Sequence, residues 1–464
     1  MQKLLESIAA STPDWVELRY QARQTKEIRV RNGKLEESSS KQLTGVGVRA
    51  LVDGVFGFAS TTDLAEDGIR RAVAEAQSSA RAAASAKKQK IAGLAPGRFA
   101  RGTFPVQTDD PLDNHPLEEK LALVMKTEES VRNASDAIAS SMASFAEILD
   151  EKIIVNSDGS SVHLFSSIPE FRVVAVAQQD GDQTMSMDST SVHGGWADLF
   201  GIRTPETMVE DCVQLAVDQL SAPHAIGGNY TVVLDPGLVG VLSHEAIGHT
   251  VEADIVLGGA VTLDKIGKRV ASDLITMCDS GKSEHASGAT GILAVDDEGI
   301  ETERTVLIEQ GILRSFLHNR ESAAHFGVEP TGNARAYEYS DEPLVRMRNT
   351  YIEPGETPVD EMIAGVKNGL YLKGLGFGGQ ADSNAEFMFG VREARRIVDG
   401  KIGELVRGAT LSGNAFEVLE SADAVGNDFL WSLGAGTCGK GQAAKVDAGG
   451  PHIRCVATIG GRQE

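Results

Sequence analysis

The segment that most constrains this chain is His244-Glu245-Ala246-Ile247-Gly248-His249, which puts two imidazoles and a carboxylate within about two helical turns. Neutral imidazoles are common metal ligands, and a carboxylate beside them can take a proton from a metal-activated water. The histidines are five residues apart, so a regular helix would aim their rings roughly 140° apart. A one-residue π-bulge would return them to one face, and Gly248 makes that distortion sterically easy. The spacing therefore predicts a distorted helix that carries a metal site.

The residues before this motif predict where its helix begins. Residues 230–234 form a β-branched apolar run that is typical of a strand. Asp235 then suits the N-cap, and Pro236 suits the first helical position. The next apolar residues form a stripe that one face of the helix can bury: Leu238, Val241 and Leu242. The polar residues of the motif can then point into a cleft.

A third metal ligand is predicted at Cys438, within the glycine-rich segment 434–441. Cysteines are often buried as small apolar residues, but this segment has few apolar side chains to form a core. Lys440 lies nearby and would favour the thiolate, which is the metal-binding form. A set of two histidines and one thiolate favours zinc over other metals, although iron or another metal stays open. On spacing alone, two ordinary histidines and an ordinary cysteine also remain an open alternative.

Composition limits the compartment and the partners. The 44 Lys and Arg residues against 66 Asp and Glu give a net charge of −22, which argues against nucleic acid or an anionic membrane as the main partner. There is no apolar run of membrane-spanning length, and residues 1–6 lack the apolar core of a signal peptide. The four cysteines are widely spaced and suggest no disulfide framework. We therefore expect a cytoplasmic protein that binds neither nucleic acid nor membrane.

Length and periodicity predict an α+β protein of several domains, because 464 residues exceed a usual single core. N-terminal mixed units of helices and antiparallel sheet should precede a β-rich C-terminal domain, built as an antiparallel sheet or open barrel and carrying the metal-site helix. The expected division is an N-terminal α+β domain at 1–90, a proline-containing linker at 91–116, a central α+β domain at 117–222 and a C-terminal domain at 227–464. Within the first two domains we expect strands at 15–20 and 27–30 and helices at 2–10, 62–90, 117–133 and 205–220.

Several motifs of this chain resemble the TldD/PmbA family of metallopeptidases, and specifically its TldD branch. The most specific similarities are the segment 244–249 followed by Glu252 and Asp254, and the segment 436–440. Residues 295–299, 346–351 and 408–411 are also similar, so that the resemblance covers nearly the whole chain. Ala253 stands where the family pattern has glycine.

The resemblance implies a function for the site and for the C-terminal domain, which would be the metallopeptidase domain. It implies one Zn²⁺ per chain, held by His244, His249 and Cys438, with Glu245 as the catalytic base. It also implies a peptide or unfolded protein as substrate, enclosed in a chamber formed with a metal-free TldE/PmbA-like homologue. A heterodimer is therefore expected, with a homodimer as the alternative.

The leading hypothesis is zinc-dependent hydrolysis of peptide bonds, with Glu245 moving the proton. One alternative is a non-catalytic subunit that binds peptides or proteins and uses zinc only as a structural clamp. Such a closed site would need a fourth ligand, for example Cys278 or Cys455. A second alternative is an amidohydrolase that acts on amides other than peptides.

Several further polar residues have roles that the sequence leaves open. Glu252 and Asp254 could accept hydrogen bonds from the ligand histidines, or they could be surface acids at the end of the helix. His318, His325 and His452 could bind substrate, but each stands alone without a motif, and a structural role is the simpler interpretation.

Overall fold

Helices and strands are interspersed along the chain, which makes the protein an α+β fold. The computed structural model describes residues 1–87, 90–381, 383–432, 434 and 436–462. A π-helix covers Leu242–Ile247, and 3₁₀ helices cover Leu112–Asn114 and Gly248–Val251. Among the described residues, no helix is long and apolar enough to cross a membrane. The α-helices are α1 (Gln2–Ser11), α2 (Glu66–Ala84), α3 (Leu117–Asn133), α4 (Trp196–Ile202), α5 (Pro205–Ser221), α6 (Pro236–Val241), α7 (Ala253–Leu257), α8 (Arg320–Phe326), α9 (Val359–Ala364) and α10 (Ala415–Glu420).

The strands fall into two groups along the chain. In the first half they are β1 (Trp15–Arg31), β2 (Lys34–Val52), β3 (Val55–Thr61), β4 (Arg101–Phe104), β5 (Ile138–Asn156), β6 (Ser161–Gln179) and β7 (Asp182–Ser191). In the second half they are β8 (Gly228–Leu234), β9 (Met277–Ser280), β10 (Thr305–Glu309), β11 (Ile312–Leu313), β12 (Ala334–Arg335), β13 (Leu344–Val345), β14 (Asn349–Ile352), β15 (Asn368–Ala381), β16 (Glu386–Val398), β17 (Lys401–Val406), β18 (Thr410–Asn414), β19 (Ala424–Val425), β20 (Leu430–Trp431), β21 (Thr437–Cys438), β22 (Ala444–Lys445), β23 (Asp447–Gly450) and β24 (Ile453–Gly460).

One large sheet unites the first half of the chain. Its strand order is β3-β2-β1-β5-β6-β4, and β7 also pairs with β6. The prediction of separate strands at 15–20 and 27–30 is wrong, because β1 runs without a break through both. The polar residues between them stay extended since they pair with β2 on one side and with β5 on the other. The sheet therefore spans the first two predicted domains, whose boundaries stay a prediction.

Helices cover the large sheet in two places. Helices α1 and α2 pack on the β1–β3 region, and α3 and α5 pack on β5, β6 and β7. The predicted helices at 2–10, 117–133 and 205–220 are confirmed within one residue at each end. The helix predicted at 62–90 is shorter, because Asp63 and its neighbours form a turn before Glu66. Residues 88–89, which belong to the predicted helix, lie outside the described residues, and residue 90 is not helical.

The segment 91–116 contains a strand that was not expected from its prolines. Strand β4 pairs in parallel with β6 at the end of the large sheet. The same segment contacts the C-terminal region, since the Ala95 amide donates to the Arg320 carbonyl and the Ala100 amide donates to the Gly299 carbonyl. It therefore runs between the large sheet and the second half of the chain.

The C-terminal region contains a barrel and a second sheet. The barrel has the order β15-β8-β24-β18-β16 and is closed because β16 also pairs with β15. The second sheet has the order β11-β10-β9-β14-β23-β20. The expected β-rich C-terminal region is thus present, with a closed barrel that includes one parallel pair, β8 with β15. Helix α6 and the π-helix lie between the barrel and the second sheet, where the largest apolar core surrounds them.

Buried ion pairs join the large sheet to the C-terminal region. Arg49 contacts Glu17 at 3.0 Å and Glu298 at 2.6 Å, and all three side chains are buried. Lys152 contacts Asp297 at 2.8 Å. Such pairs require both partners, because removal of one leaves an uncompensated buried charge. The segment 295–299 therefore acts as a polar junction between the two halves.

Candidate metal centre

The helix that carries the metal motif begins where the sequence predicts. The Asp235 carboxylate accepts a hydrogen bond from the Leu238 amide at 2.9 Å, and Pro236 occupies the first turn. The predicted strand at 230–234 lies within β8. The predicted apolar stripe, Leu238, Val241 and Leu242, is buried. The helix start, its preceding strand and its buried face are thus confirmed.

The turn that follows α6 is a π-helix, which confirms the expected bulge. The rings of His244 and His249 lie with their centroids 5.2 Å apart and their planes at 79°. Gly248 is needed here because a Cβ atom at this position would lie 2.1 Å from the Met347 sulfur. The wider turn therefore brings two imidazoles together that a regular helix would separate.

Cys438 joins the two histidines. One candidate ligand atom from each of His244, His249 and Cys438 lies within 4.8 Å of the others, although Cys438 is far away in sequence. The Cys438 sulfur is 3.4 Å from His249 Nε2. Ala435, part of the glycine-rich segment before Cys438, lies outside the described residues. The three predicted ligands therefore form one compact group of two nitrogens and one sulfur.

The donors of this group fit a metal ion. His244 is fully buried, yet neither of its ring nitrogens has a hydrogen-bond partner among the described residues. Buried polar atoms are normally paired, so an unpaired imidazole beside a thiol is a natural metal ligand. Two imidazoles and a thiolate are also a donor set that zinc accepts, with a further coordination position left for water.

The charges of the group also favour metal binding. Burial by itself would raise the pKa of the Cys438 thiol, but the neighbouring His244 and His249 lower it to about 3. Burial would lower the pKa of His249, whereas Cys438 and Glu252 raise it to about 10. These shifts favour the thiolate form of Cys438, and a cation bound here would replace the proton on His249.

A carboxylate orients His249 from behind. Glu252 is fully buried, and its Oε2 lies 2.7 Å from His249 Nδ1. Histidine ligands commonly hold such a partner, which fixes the ring and leaves the other nitrogen for the metal. The structure therefore decides between the two interpretations of Glu252: it contacts the predicted ligand His249, and it is not a surface acid.

Lys440 connects this carboxylate to the cysteine loop. Its Nζ lies 3.2 Å from Glu252 Oε2 and donates to Asp254 at 2.7 and 2.9 Å and to the Val345 carbonyl at 2.8 Å. From sequence we expected Lys440 only to favour the Cys438 thiolate. Asp254 contacts Lys440, and its side chain is 36% exposed. Lys440 therefore ties the loop of the third ligand to the end of the metal helix.

Glu245 has the position that a proton-transfer group needs. Its side chain is 41% exposed, and its Oε2 lies 3.7 Å from His249 Nε2. It is thus close to the ligand group but still accessible to water and substrate. A carboxylate with both properties can exchange protons with a water molecule at the site.

Arg346 supports the ligand loop and was not singled out from the sequence. Its guanidinium donates to the Cys438 carbonyl at 2.8 Å and to the Gln442 carbonyl at 2.7 Å. Both acceptors lie in the hairpin formed by β21 and β22 or in its connecting loop. The only sequence signal was its place in the segment 346–351, which resembles the family.

The remaining candidate histidines have structural partners elsewhere. His318 Nδ1 lies 3.1 Å from Ser322 Oγ, and burial lowers the pKa of His318 to about 4. His325 packs on Phe326, and His452 contacts Asp428 at 2.7 Å. In the part of the chain that the structure describes, the metal group does not include them.

The two cysteines weighed as a fourth ligand also lie apart from this group. Cys278 Sγ is 3.5 Å from the Glu353 carboxylate. Cys455 belongs to β24, where it pairs with Val232 of β8. Within the described ranges, neither belongs to the cluster of potential metal ligands.

The π-helix with two imidazoles, the Cys438 sulfur and the accessible Glu245 carboxylate together form the kind of residue set that metallohydrolase centres use. Sequence comparison agrees with this class. The chain matches the PmbA/TldA metallopeptidase domain 1 at residues 16–80, the central domain at 110–220 and the C-terminal domain at 227–461. It therefore belongs to the PmbA/TldD metallopeptidase family, as its motifs indicated.

Individual relatives extend over most of the chain. A metalloprotease of Methanothermobacter thermautotrophicus is 34% identical over 459 residues, which cover 97% of this chain and 96% of that protein. A zinc metalloprotease TldD homolog of Saccharolobus solfataricus is 32% identical over 339 residues, with 73% and 74% covered. The crystal structure of TldE from Thermococcus kodakarensis has a TM-score of 0.77 at 18% identity and covers 98% of each chain. This last similarity concerns the fold alone.

Proposed function

We propose that this protein is a zinc-dependent peptidase that hydrolyses peptide bonds of unfolded peptides or small proteins in an enclosed cleft. The observation that carries the proposal is the convergence of His244, His249 and Cys438 beside the accessible carboxylate of Glu245. The three ligands would hold one zinc ion, which when bound supplies an activated water and polarises the scissile carbonyl. Membership of a metallopeptidase family supports this reaction class.

Glu245 is the proposed general base. Its carboxylate takes a proton from the attacking water and later delivers it to the leaving amine, for which its exposure gives it access. Glu252 holds His249 Nδ1 at 2.7 Å and so keeps His249 Nε2 directed towards Cys438. The two carboxylates thus have different proposed roles: Glu245 transfers protons, and Glu252 orients His249.

The test is the variant Glu245→Gln, which removes the base and keeps the size of the side chain. Cleavage of an unstructured fluorogenic peptide should fall by roughly 10²–10⁴-fold, while zinc content measured by elemental mass spectrometry stays unchanged. Glu309→Gln is the matched control, because Glu309 is exposed and, within the described residues, its ion pair is with Arg314. Cleavage by Glu245→Gln at the rate of the unaltered protein would contradict the assignment.

A non-catalytic subunit with a structural zinc is the alternative. A closed structural site normally has four protein ligands, whereas the group in the described residues has three. The three-ligand group thus favours a catalytic centre. Pairing with a TldE/PmbA-like homologue or with a second copy, and a cytoplasmic location, stay predictions.

A further inference from the structure

A cavity of about 440 Å³ lies between the large sheet and the C-terminal region. Its volume is within the range of about 300–1,000 Å³ that is usual for sites of small ligands. Much of its wall is apolar and comes from β5, β6 and the segment before residue 295. These apolar residues include Ile148, Leu164, Phe165, Ile168, Ile292 and Leu293.

The cavity adjoins the hairpin that carries the third metal ligand. Ala444 and Lys445 line the cavity, and Ala444 pairs with Cys438 across the hairpin. Lys445 Nζ donates to Thr437 Oγ1 at 2.8 Å. The cavity and the third predicted ligand therefore lie on the same hairpin, and Ala444 connects them directly.

Four lysine and arginine side chains line the cavity, and three of them have a carboxylate partner. Arg23 contacts Asp150 at 2.6 Å. Lys152 is paired with Asp297, and Lys445 is paired with Glu170. The fourth cation is Arg335, and its bonds set it apart from the other three.

Arg335 has carbonyl partners in place of a carboxylate. Its guanidinium donates to the Met347 and Lys445 carbonyls, both at 2.6 Å. No carboxylate in the described ranges lies within ion-pair distance of it. Burial, and then the charge of Arg346, lower the pKa of Arg335 to about 10, so it stays charged at neutral pH. Arg335 is half-buried. A guanidinium has five N–H donors, so the bonds to these two carbonyls leave N–H groups of Arg335 for a further ligand.

We propose that this cavity binds a carboxylate attached to an apolar group of the peptide substrate, with Arg335 as the counter-ion. The apolar wall would enclose the adjoining side chain, while the remaining guanidinium N–H groups bond the carboxylate. The carboxylate is either the C-terminus of the peptide or an acidic side chain. This inference rests on the proposed peptidase function and names the class of substrate that the site prefers.

The first test changes the ligand and leaves the cavity unaltered. Three versions of one unstructured peptide ending in Phe are titrated into the zinc-loaded Glu245→Gln chain by calorimetry: a free C-terminal carboxylate, a C-terminal amide, and the amide with Glu replacing the neighbouring Gln. One carboxylate version should bind about tenfold or more tightly than the amide. The version that gains affinity identifies the source of the carboxylate. Equal affinity of all three peptides overturns the proposal.

The second test changes the cavity. Arg335→Met removes the charge, so the carboxylate peptide should bind this variant no more than about twofold more tightly than the amide peptide does. In Arg335→Lys most of the difference in affinity should remain. Arg98→Met is the matched control, because Arg98 is exposed and does not line the cavity. Thermal unfolding and zinc content check that each variant is folded. A carboxylate advantage that survives in folded Arg335→Met overturns the proposal.

The design separates this proposal from the peptidase proposal. If the unaltered chain, alone and mixed with a TldE/PmbA-like homologue, does not cleave the peptides but a carboxylate-dependent affinity remains and disappears with Arg335→Met, the cavity assignment stands and the peptidase assignment fails. If the chain cleaves all three peptides but binds them equally, the cavity assignment fails. Should Arg335→Met not fold, Phe165→Ala replaces it, because Phe165 is 37% exposed and lines the cavity. Loss of its ring should weaken binding of every Phe-ending peptide, and unchanged affinity contradicts the proposed occupant.

Discussion

The variant Glu252→Gln should weaken zinc binding without removing a ligand. Glu252 is fully buried, and its Oε2 contacts His249 Nδ1 at 2.7 Å and Lys440 Nζ at 3.2 Å. Glutamine keeps the size of the side chain but loses the charge that both partners face. Changes to such a partner of a ligand histidine typically cost about 10–100-fold in metal affinity, or roughly 1.4–2.8 kcal/mol of binding free energy. We expect the zinc dissociation constant to rise by that factor.

The assay is competition for zinc with a fluorescent chelator at neutral pH, on folded protein. Asp254→Asn is the matched control, because Asp254 also binds Lys440 but is 36% exposed. A partly exposed ion pair contributes at most about 1 kcal/mol, so this control should change the affinity by no more than about fivefold. Equal zinc affinity of Glu252→Gln and the unaltered protein would refute the orienting role of Glu252.

Three further predictions concern folding. Gly248→Ala should lower the free energy of unfolding by about 1–3 kcal/mol in urea, because its Cβ would meet the Met347 sulfur; unchanged stability would show that the π-turn can absorb a methyl group. Arg348→Met should lower the free energy of unfolding by about 3–5 kcal/mol, since it leaves the buried carboxylate of Asp279 without its cationic partner at 2.7 Å. A decrease below about 1 kcal/mol in the same urea titration contradicts this. Burial would raise the pKa of Asp297, but nearby cations hold it below its usual value. The stabilising contribution of the Asp297 carboxylate should therefore be present above about pH 4 and be lost as pH falls further. The prediction is contradicted if the free energy of unfolding falls below about pH 4 in the same way in Asp297→Asn and in the unaltered protein.

The metal helix could be predicted because its signals are local. Asp235 and Pro236 mark the helix start within a few residues, and the spacing of His244 and His249 requires a turn wider than an α-helix. Both features appear in the structure. Cys438 was predicted from its glycine-rich segment and from the family motifs, but its place beside the histidines depends on chain pairing across the C-terminal region.

The long-range polar contacts could not be predicted from the chain. Lys440 is 186 residues from Asp254, and no local pattern tells which acid a lysine will meet. The same limit applies to Arg335, because only the folded cavity shows that its partners among the described residues are carbonyls. The sequence predicted two short strands where the structure has the single strand β1, because the residues in the middle of β1 are polar. Pairing with β2 and β5 on its two edges keeps these residues extended.

The most direct test of the metal centre is the zinc content of the purified full chain, of Cys438→Ala and of Cys278→Ala by elemental mass spectrometry. Cys278 is also a buried free cysteine, but it lies outside the group formed by His244, His249 and Cys438. We predict close to one zinc per chain in the unaltered protein and in Cys278→Ala, and loss of zinc in Cys438→Ala. Equal zinc in both variants, or none in the unaltered protein, would contradict the assignment of the ligands.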